Sequence, residues 1–355
     1  MDGVLNLLKP AGMTSHDAVA SVRRLFRTKK VGHTGTLDPM AVGVLPVCVG
    51  SATRAVEYLE SDDKEYRCEL LLGLGTDTCD VWGANTGGIK AAAAADVETG
   101  ASGAAAGSEE FMATAVAVKA ADVSEAEVRA CLCDMVGAQR QLPPIYSAIR
   151  VNGKKLYEYA RSGEAVEIKP RNVEIYSIKP ISIFHEPGRI LIDVHCSKGT
   201  YIRSLCRDIG DRLGCGAVMS ELIRVRSGSF KLADAVTFED IFEKIEAAEH
   251  IAREEIMSSR LEHSLPREVA DMLLPVDKML SGFGRLRLSE TERLKYVNGG
   301  KIAFRNAELL EENIISQKDR FSNIYLVYDS DDRFIGTAAA DADRKIYKVG
   351  KVFVR

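Results

Sequence analysis

The spacing of apolar residues in the N-terminal part of the chain predicts alternating strands and helices. The segment GVLNLLKP has the pattern of a short strand that stops at Pro10, and TSHDAVASVRRLFRTKK that of a helix with Thr14 or Ser15 as its N-cap. VGVLPVCVG then predicts a short buried strand, SATRAVEYLES a helix, and KEYRCELLLG a strand with alternating buried positions. This order is typical of an α+β fold.

A segment from about residue 84 to 121 interrupts this pattern. Its centre, AAAAADVETGASGAAAGSEE, has few large apolar residues. Such a composition cannot bury enough surface to offset the entropy of ordering, so it predicts a mobile surface insertion, with an alanine-rich helix inside it as the alternative.

The periodic pattern resumes after the insertion. SEAEVRACLCDMVG predicts a capped helix, GRILIDVHCSKG a strand, and TYIRSLCRDIGDRLG a helix that ends at Gly214. FEDIFEKIEAAEHIAREEIMSSRLEHSL is acidic and amphipathic, as a helical connector would be, and short strands and turns follow it. We therefore expect an α+β catalytic domain over residues 1–238, a connector over 239–273 and a small β-rich domain over 274–355.

Charge is distributed unevenly along the chain. The 355 residues carry a formal net charge of -4. The regional balance is roughly +4 for residues 1–54 and +7 for 139–231, but roughly -5 for 84–134 and -6 for 232–270. Folded together, the two basic segments would form a positive surface for phosphates, although ordinary solvated charge explains the counts as well.

Targeting signals, membrane spans and metal motifs are missing from the sequence. No run approaches the roughly 20 apolar residues of a membrane helix, and MDGVLNLLKP lacks the features of a signal peptide, so we expect a cytoplasmic protein. The eight cysteines form a CxC at Cys131 and Cys133 but no CxxC. They predict reduced core thiols rather than disulfides or zinc ligands, and no metal site.

One carboxylate stands out in the loop sequence VGHTGTLDPMAVGVLP. Asp38 precedes a proline, where aspartate commonly forms turns. A carboxylate in a glycine-bounded loop can also act as a nucleophile or general base if a fixed cation keeps it ionised. The loop lacks the lysine of a phosphate-binding GxxxxGK motif, which makes a nucleotide hydrolase a weak alternative.

Other candidate residues have equally plain structural explanations. His33 could be an ordinary loop histidine, and Tyr66 and Leu222 could be core residues. The segment KGTYIR places Tyr201 and Arg203 at a helix start, where they could meet an anion or form an internal salt bridge.

Six motifs, in order, resemble the TruB family of bacterial tRNA pseudouridine synthases. They are LLKPAGMTSHDAV, VGHTGTLDPMAVGVLPVCVGSATR, KEYRCELLLGLGTDTCD, LPPIYSAIRVNGKKLYEYARSGE, CSKGTYIRSLCRDIGDRLGCGA and SELIRVRSGSF. The resemblance covers most of residues 5–230 apart from the insertion. Residues 274–355 more weakly resemble a PUA domain, an RNA-binding β fold.

The resemblance implies a pseudouridine synthase fold with a central, mainly antiparallel sheet flanked by helices. It also implies that the T-loop uridine at position 55 of tRNA is isomerised to pseudouridine without a cofactor. Asp38 matches the family's catalytic aspartate and would be the nucleophile. The sequence leaves open whether it attacks the ribose, attacks the base or removes a ribose proton.

The resemblance also implies roles for residues around Asp38. Arg203 would pair with Asp38 and keep it charged. Tyr66 would stack on the target base and assist proton removal from C5. His33 would hold the T loop with its base extruded, because a stacked base cannot present its glycosidic bond.

Further residues would bind the substrate. Tyr201 and Leu222 would line the uridine pocket, and Lys9 would support the loop that carries Asp38. The candidates for contacts with the tRNA backbone are Arg23, Arg24, Arg27, Lys154 and Lys155.

The expected partner is the T arm of tRNA, bound by a monomer without an obligatory protein partner or guide RNA. LPPIYSAIRVNGKKLYEYARSG favours this stand-alone enzyme over a synthase that acts on another RNA or needs a guide. An RNA-binding or tRNA-folding protein is the alternative from a different class.

Overall fold

The computed structural model describes residues 2–60, 63–86, 122–251, 253–258, 265–280, 282–315 and 321–354. Contacts divide the chain into two compact units. The first unit comprises Met1–Asp62 and Arg226–Arg355, and the second comprises Asp63–Val225. Most of the predicted insertion lies outside the described residues, and the three predicted domain boundaries stay predictions.

The elements follow the predicted mixture of helices and strands. The described helices are α1 (Ser15–Leu25), α2 (Val56–Leu59), α3 (Glu125–Asp134), α4 (Leu156–Ser162), α5 (Ile202–Leu213), α6 (Phe238–Glu249), α7 (Arg253–Ser258), α8 (Arg267–Ala270), α9 (Val276–Met279) and α10 (Glu290–Val297). The described strands are β1 (Gly3–Lys9), β2 (Val31–His33), β3 (Val42–Val49), β4 (Lys64–Leu72), β5 (Gly137–Gln141), β6 (Arg150–Val151), β7 (Lys154–Lys155), β8 (Arg171–Ile183), β9 (Arg189–Cys196), β10 (Ala217–Ser227), β11 (Phe230–Lys231), β12 (Gly284–Leu288), β13 (Ile302–Ala303), β14 (Ala307–Glu311), β15 (Ile324–Tyr328), β16 (Phe334–Asp341) and β17 (Ile346–Val352).

In the first unit, the N-terminal strands form an antiparallel ladder in which β3 pairs with both β1 and β2. Helix α1 begins with a capping box, in which the Thr14 hydroxyl accepts the Asp17 N–H and the Asp17 carboxylate accepts the Thr14 N–H. The single helix predicted for SATRAVEYLES is wrong, because residues 50–55 form a 3₁₀ helix and only α2 is α-helical.

The C-terminal part of the first unit is rich in β-strands, as predicted. Its six strands are ordered β13, β17, β16, β15, β12 and β14. Neighbouring strands in this order pair antiparallel, apart from β12 and β15, which are parallel. The α+β class and the β-rich character of the C-terminal part are therefore confirmed.

One hydrophobic cluster in the first unit joins residues from the two ends of the chain. The Tyr58 ring packs edge-on against Phe283 and Phe321, with centroid distances of 5.7 and 4.9 Å. Its hydroxyl shares a 3.1 Å hydrogen bond with the Thr337 hydroxyl. Val4 and Val44 belong to the same cluster. The strands around the Asp38 loop thus share their core with the C-terminal sheet.

The second unit contains an antiparallel sheet in which β9 lies between β4 and β8, and β5 pairs with β8. The alternation predicted for β4 is confirmed, since Tyr66, Cys68, Leu70 and Leu72 are all buried. Helix α5 ends at Gly214, which adopts the left-handed conformation with φ 72°.

The acidic connector is broken rather than continuous. Helix α6 ends at His250, whose left-handed φ of 54° stops the helix, and α7 starts three residues later. Residues 259–264 lie outside the described part of the chain.

All eight cysteines are free thiols. Seven are buried, whereas Cys133 is exposed on α3, so its prediction as a core residue is wrong. Among the described residues, no helix has the length and apolar character needed to cross a membrane.

Candidate active site

Asp38 lies half-buried in the loop between β2 and β3. The adjacent Leu37 is tied to α1 in both directions: its N–H donates to the Ser15 hydroxyl at 2.8 Å, and that hydroxyl donates to the Leu37 carbonyl at 3.0 Å. The Asp38 carbonyl accepts the Ala41 N–H at 3.1 Å. These bonds fix the backbone that carries the carboxylate.

Lys9 holds the exit of the same loop from inside the first unit. Its side chain is 0% exposed, and its ammonium group donates to the carbonyls of Pro10 at 2.7 Å, Met13 at 2.7 Å and Pro39 at 3.3 Å. The Gly12 N–H also donates to the Pro39 carbonyl, at 2.9 Å. A buried cation thus joins the connection between β1 and α1 to the loop that carries Asp38.

The entry of the loop is held by two further hydrogen bonds. The His33 Nδ1 atom accepts the Gly35 N–H at 3.2 Å, which leaves the neutral ring's proton on Nε2. Thr34 is only 1% exposed, and its N–H donates to the Pro46 carbonyl at 3.1 Å. Its hydroxyl oxygen is buried without a hydrogen-bond partner among the residues that the structure describes.

Tyr66, Leu222 and Tyr201 lie in the second unit. Tyr66 is buried on β4, opposite Val194 of β9, and Leu222 is buried on β10. Tyr201 caps the start of α5. The Gln141 side chain clamps its backbone, accepting the Tyr201 N–H at 2.8 Å and donating to its carbonyl at 3.0 Å.

The guanidinium group of Arg203 is held by two loops of the second unit. Its side chain is 6% exposed. Nη1 donates to the Thr78 carbonyl at 3.0 Å and Nη2 to the Tyr146 carbonyl at 3.0 Å. The Asp80 carboxylate lies 3.7 Å from Nη1. The cation is therefore fixed in position with little freedom to rotate.

Sequence reasoning missed the residues that hold Arg203. Asp80 is buried, and its Oδ1 atom accepts the Thr78 hydroxyl at 2.7 Å and the Trp82 N–H at 3.0 Å. The segment TDTCD, which follows β4 and precedes Gly83, consists mostly of short polar residues. That local signal for an Asx-type turn could have singled out Asp80.

Arg23 and Arg27, both predicted to contact RNA from one basic helix, have partners within the protein, and Arg27 follows the end of α1 instead of lying on it. Arg23 Nη2 donates to the Val31 carbonyl at 3.1 Å, and Arg27 forms a 2.5 Å ion pair with Glu249. Arg24 is exposed.

Lys154 and Lys155 lie on a short hairpin beside α4. Lys154 pairs with Glu164 at 2.8 Å and lies 4.7 Å from the centroid of the Tyr159 ring. Lys155 lies 5.3 Å from the centroid of the Tyr157 ring. Where a cation lies over an aromatic ring, the cation can bind an RNA phosphate and the ring can stack on a base.

The predicted site residues therefore belong to two sets. The first unit carries Lys9, His33 and Asp38 on and beside one loop. In the second unit, Tyr201 and Arg203 share the start of α5, and the strands carry Tyr66 and Leu222.

Family comparison covers most of the chain. A family model described as TruB family pseudouridylate synthase (N terminal domain) matches residues 23–104 and 95–202. A second, described as tRNA pseudouridylate synthase B C-terminal domain, matches residues 203–281.

Curated relatives extend the comparison to the whole chain. A tRNA pseudouridine synthase B of Clostridium perfringens is 36% identical over 354 residues, covering 100% of this chain and 99% of its own. One of Alkaliphilus oremlandii is 40% identical over 302 residues, covering 85% and 83%.

Among solved structures, the crystal structure of a Cbf5-Nop10-Gar1 complex matches with a TM-score of 0.67 and 25% identity. The match covers 99% of this chain and 85% of that one. The fold and the matched sequences define a pseudouridylate synthase. The chain belongs to the TruB family, which confirms the family inferred from the motifs.

Proposed function

We propose that this protein isomerises the uridine at position 55 in the T loop of tRNA to pseudouridine. The observation that carries the proposal is the half-buried Asp38, held on a braced loop in a chain that matches tRNA pseudouridine synthase B over its full length. We expect it to act in the cytoplasm as a monomer, without a guide RNA or an obligatory protein partner.

The reaction requires a group that stabilises a detached base or sugar. The bond from ribose C1′ to N1 breaks, the base turns, and a bond forms from C1′ to C5. The C5 proton is then lost, and N1 gains a proton. The change is an isomerisation, so atoms balance without a cofactor. Asp38 acts as the nucleophile, and the carboxylate must be ionised when the flipped uridine arrives.

The other site residues support that carboxylate and the base. Arg203 keeps Asp38 charged and oriented. Tyr66 stacks on the base and assists removal of the C5 proton. The bonds of Arg203 to the Thr78 and Tyr146 carbonyls support this role, because they fix the guanidinium before substrate binds.

Substrate binding involves a wider set of residues. His33 holds the extruded T loop, and Tyr201 and Leu222 line the uridine pocket. The candidates for RNA backbone contacts are Arg23, Arg24, Arg27, Lys154 and Lys155. Arg24 is exposed and Lys155 lies against an aromatic ring, which supports this role, whereas Lys154 would exchange Glu164 for phosphate and Arg27 would exchange Glu249. The β-rich C-terminal domain is a further proposed RNA-binding surface.

The test is incubation of purified protein with unmodified tRNA transcript, followed by mapping of pseudouridine. The native protein should modify position 55, and Asp38→Asn should give no product while still binding tRNA. Asp271→Asn is the matched control, because Asp271 is an exposed residue of the same unit. Product from Asp38→Asn would refute the nucleophile. Binding without product from the native protein would favour the tRNA-folding alternative.

Arg203→Ala tests the role of the cation. Turnover should fall more than tRNA affinity, because the guanidinium acts on the reacting carboxylate. Equal losses in kcat and affinity would mean that Arg203 mainly grips RNA.

A further inference from the structure

Trp82 is the only tryptophan in the chain, and 62% of its surface is exposed. It follows Val81, which is 38% exposed, in the loop after β4. Indole rings are highly buried on average, and exposed ones are frequent where a protein binds a partner.

The turn that carries this indole is held in one conformation. The Val81 N–H donates to the Met219 carbonyl at 3.0 Å, and the Trp82 N–H to Asp80 Oδ1 at 3.0 Å. The Gly83 N–H donates to the Asp80 carbonyl at 3.2 Å. The indole is therefore presented from a backbone with little freedom to move.

Gly83 closes the turn tightly. A Cβ atom at this position would lie 2.3 Å from the Thr78 hydroxyl oxygen and 2.5 Å from an Asp77 carboxylate oxygen. A side chain at this position would collide with Thr78 and Asp77 and displace the turn. Glycine therefore allows the hydrogen bond between the Trp82 N–H and Asp80.

The same carboxylate connects Trp82 to the proposed catalytic machinery. Asp80 accepts the Trp82 N–H with one oxygen, and its other oxygen lies 3.7 Å from Arg203 Nη1. The backbone that carries the exposed indole is thus bound to the carboxylate that faces Arg203, the side chain that the proposed reaction needs.

Base flipping creates a need for such a surface. When a uridine leaves the stack, its neighbours lose a stacking partner, and this loss opposes flipping. An aromatic face can replace that partner for any base. We propose that Trp82 stacks against a T-loop base left unstacked by the flipped uridine. The proposal rests on the proposed function and assigns the indole a tRNA-binding role.

Intrinsic fluorescence tests this contact directly, because a single tryptophan reports on one position. Unmodified tRNA transcript, added to the full-length protein, should change the emission in a saturable way. Inorganic polyphosphate, which has charge but no bases, should not. A free protein whose emission is that of a buried indole and does not respond to tRNA would overturn the proposal, because Trp82 would then pack against its own chain.

Substitutions of Trp82 distinguish aromatic stacking on a base from a nonspecific apolar contact. Trp82→Ala and Trp82→Leu should each raise the KM for tRNA about tenfold, more than they lower kcat, whereas Trp82→Phe should recover most of the loss. Native affinity in Trp82→Ala, or recovery by Trp82→Leu, would contradict stacking. If the native protein binds tRNA with the expected fluorescence change but forms no pseudouridine, the proposed activity fails and the stacking contact stands.

Discussion

Each unit contains a buried cation that donates to backbone carbonyls, but the two cations have opposite tasks. In the first unit, Lys9 donates to three carbonyls, two in the connection before α1 and one in the loop that presents Asp38, and so ties the two segments together. In the second unit, two carbonyls and the Asp80 carboxylate hold Arg203, whose own side chain is the group presented.

Lys9 fixes backbone carbonyls, whereas Arg203 is itself fixed by its partners. One ammonium group braces the first site, so its removal takes a shared donor from three carbonyls at once. Two loops and a carboxylate brace Arg203, so losing one partner leaves the others in place. The comparison predicts global damage from a change at Lys9 and a local catalytic defect from a change around Arg203.

Lys9→Met should therefore have the largest effect. The free energy of unfolding should fall by about 3 kcal/mol, since three carbonyls lose a shared, fully buried donor, and pseudouridine formation should fall with it. Urea denaturation followed by circular dichroism measures the first quantity. The control is Lys231→Met, at an exposed lysine of the same unit. A stable, active Lys9→Met protein would mean that the loop does not depend on this cation.

Asp80→Asn should affect turnover more than stability. The amide retains an acceptor for the Trp82 N–H but loses the negative charge facing Arg203. We expect kcat to fall about tenfold, with a loss of about 1 kcal/mol or less in the free energy of unfolding. The control is Asp77→Asn, whose carboxylate accepts the Ala84 N–H at 2.8 Å. Equal kcat losses in the two variants would count against a specific role for Asp80.

Two buried threonines of the first unit, Thr337 and Thr34, differ in whether their hydroxyls have a hydrogen-bond partner in the part of the chain that the structure describes. The Thr337 hydroxyl bonds to Tyr58 and accepts the Lys351 N–H at 3.0 Å, so Thr337→Val should lower the free energy of unfolding by about 1–2 kcal/mol. The Thr34 hydroxyl has no partner among the described residues, so Thr34→Val should leave stability unchanged or slightly raised. Thermal denaturation compares them. An equal loss in both would show that the Thr34 hydroxyl is satisfied in the folded protein.

The smallest of these effects is the response to acid, which should depend on one buried carboxylate of the second unit, Glu69. Burial alone would raise the pKa of Glu69, but hydrogen bonds from Ser220, His185 and Arg189 outweigh it and hold the pKa below the usual 4.5. A depressed folded-state pKa stabilises the protein above pH 4.5, and this stabilisation is lost as pH falls through the folded value.

Glu69→Gln should reduce that acid-dependent loss of stability, measured by urea denaturation between pH 6 and about pH 3. Glu65→Gln, on the same strand, is the control. If Glu69→Gln leaves the pH dependence of stability unchanged, Glu69 does not contribute to the loss of stability in acid.

Much of the local structure could be predicted from the sequence. The Thr14 cap, the alternation of β4 and the helix end at Gly214 were all correct, because each depends on residues a few positions apart. The break at His250 was missed, because apolar periodicity continues across a residue whose backbone reverses hand. Asp38 was singled out by its loop, whereas Asp80 was missed because its significance depends on meeting Arg203.

The sequence by itself determined the family, most of the elements and the loop that carries Asp38, since these depend on short-range pattern and on motifs in a fixed order. Only the tertiary structure decided which groups brace the site. The carbonyls that hold Arg203 lie 125 and 57 positions away in the chain, and the core around Tyr58 is completed by residues near the opposite end. Such contacts form only when segments distant in the chain pack together. A local sequence pattern therefore cannot predict which carbonyl a buried cation will bind.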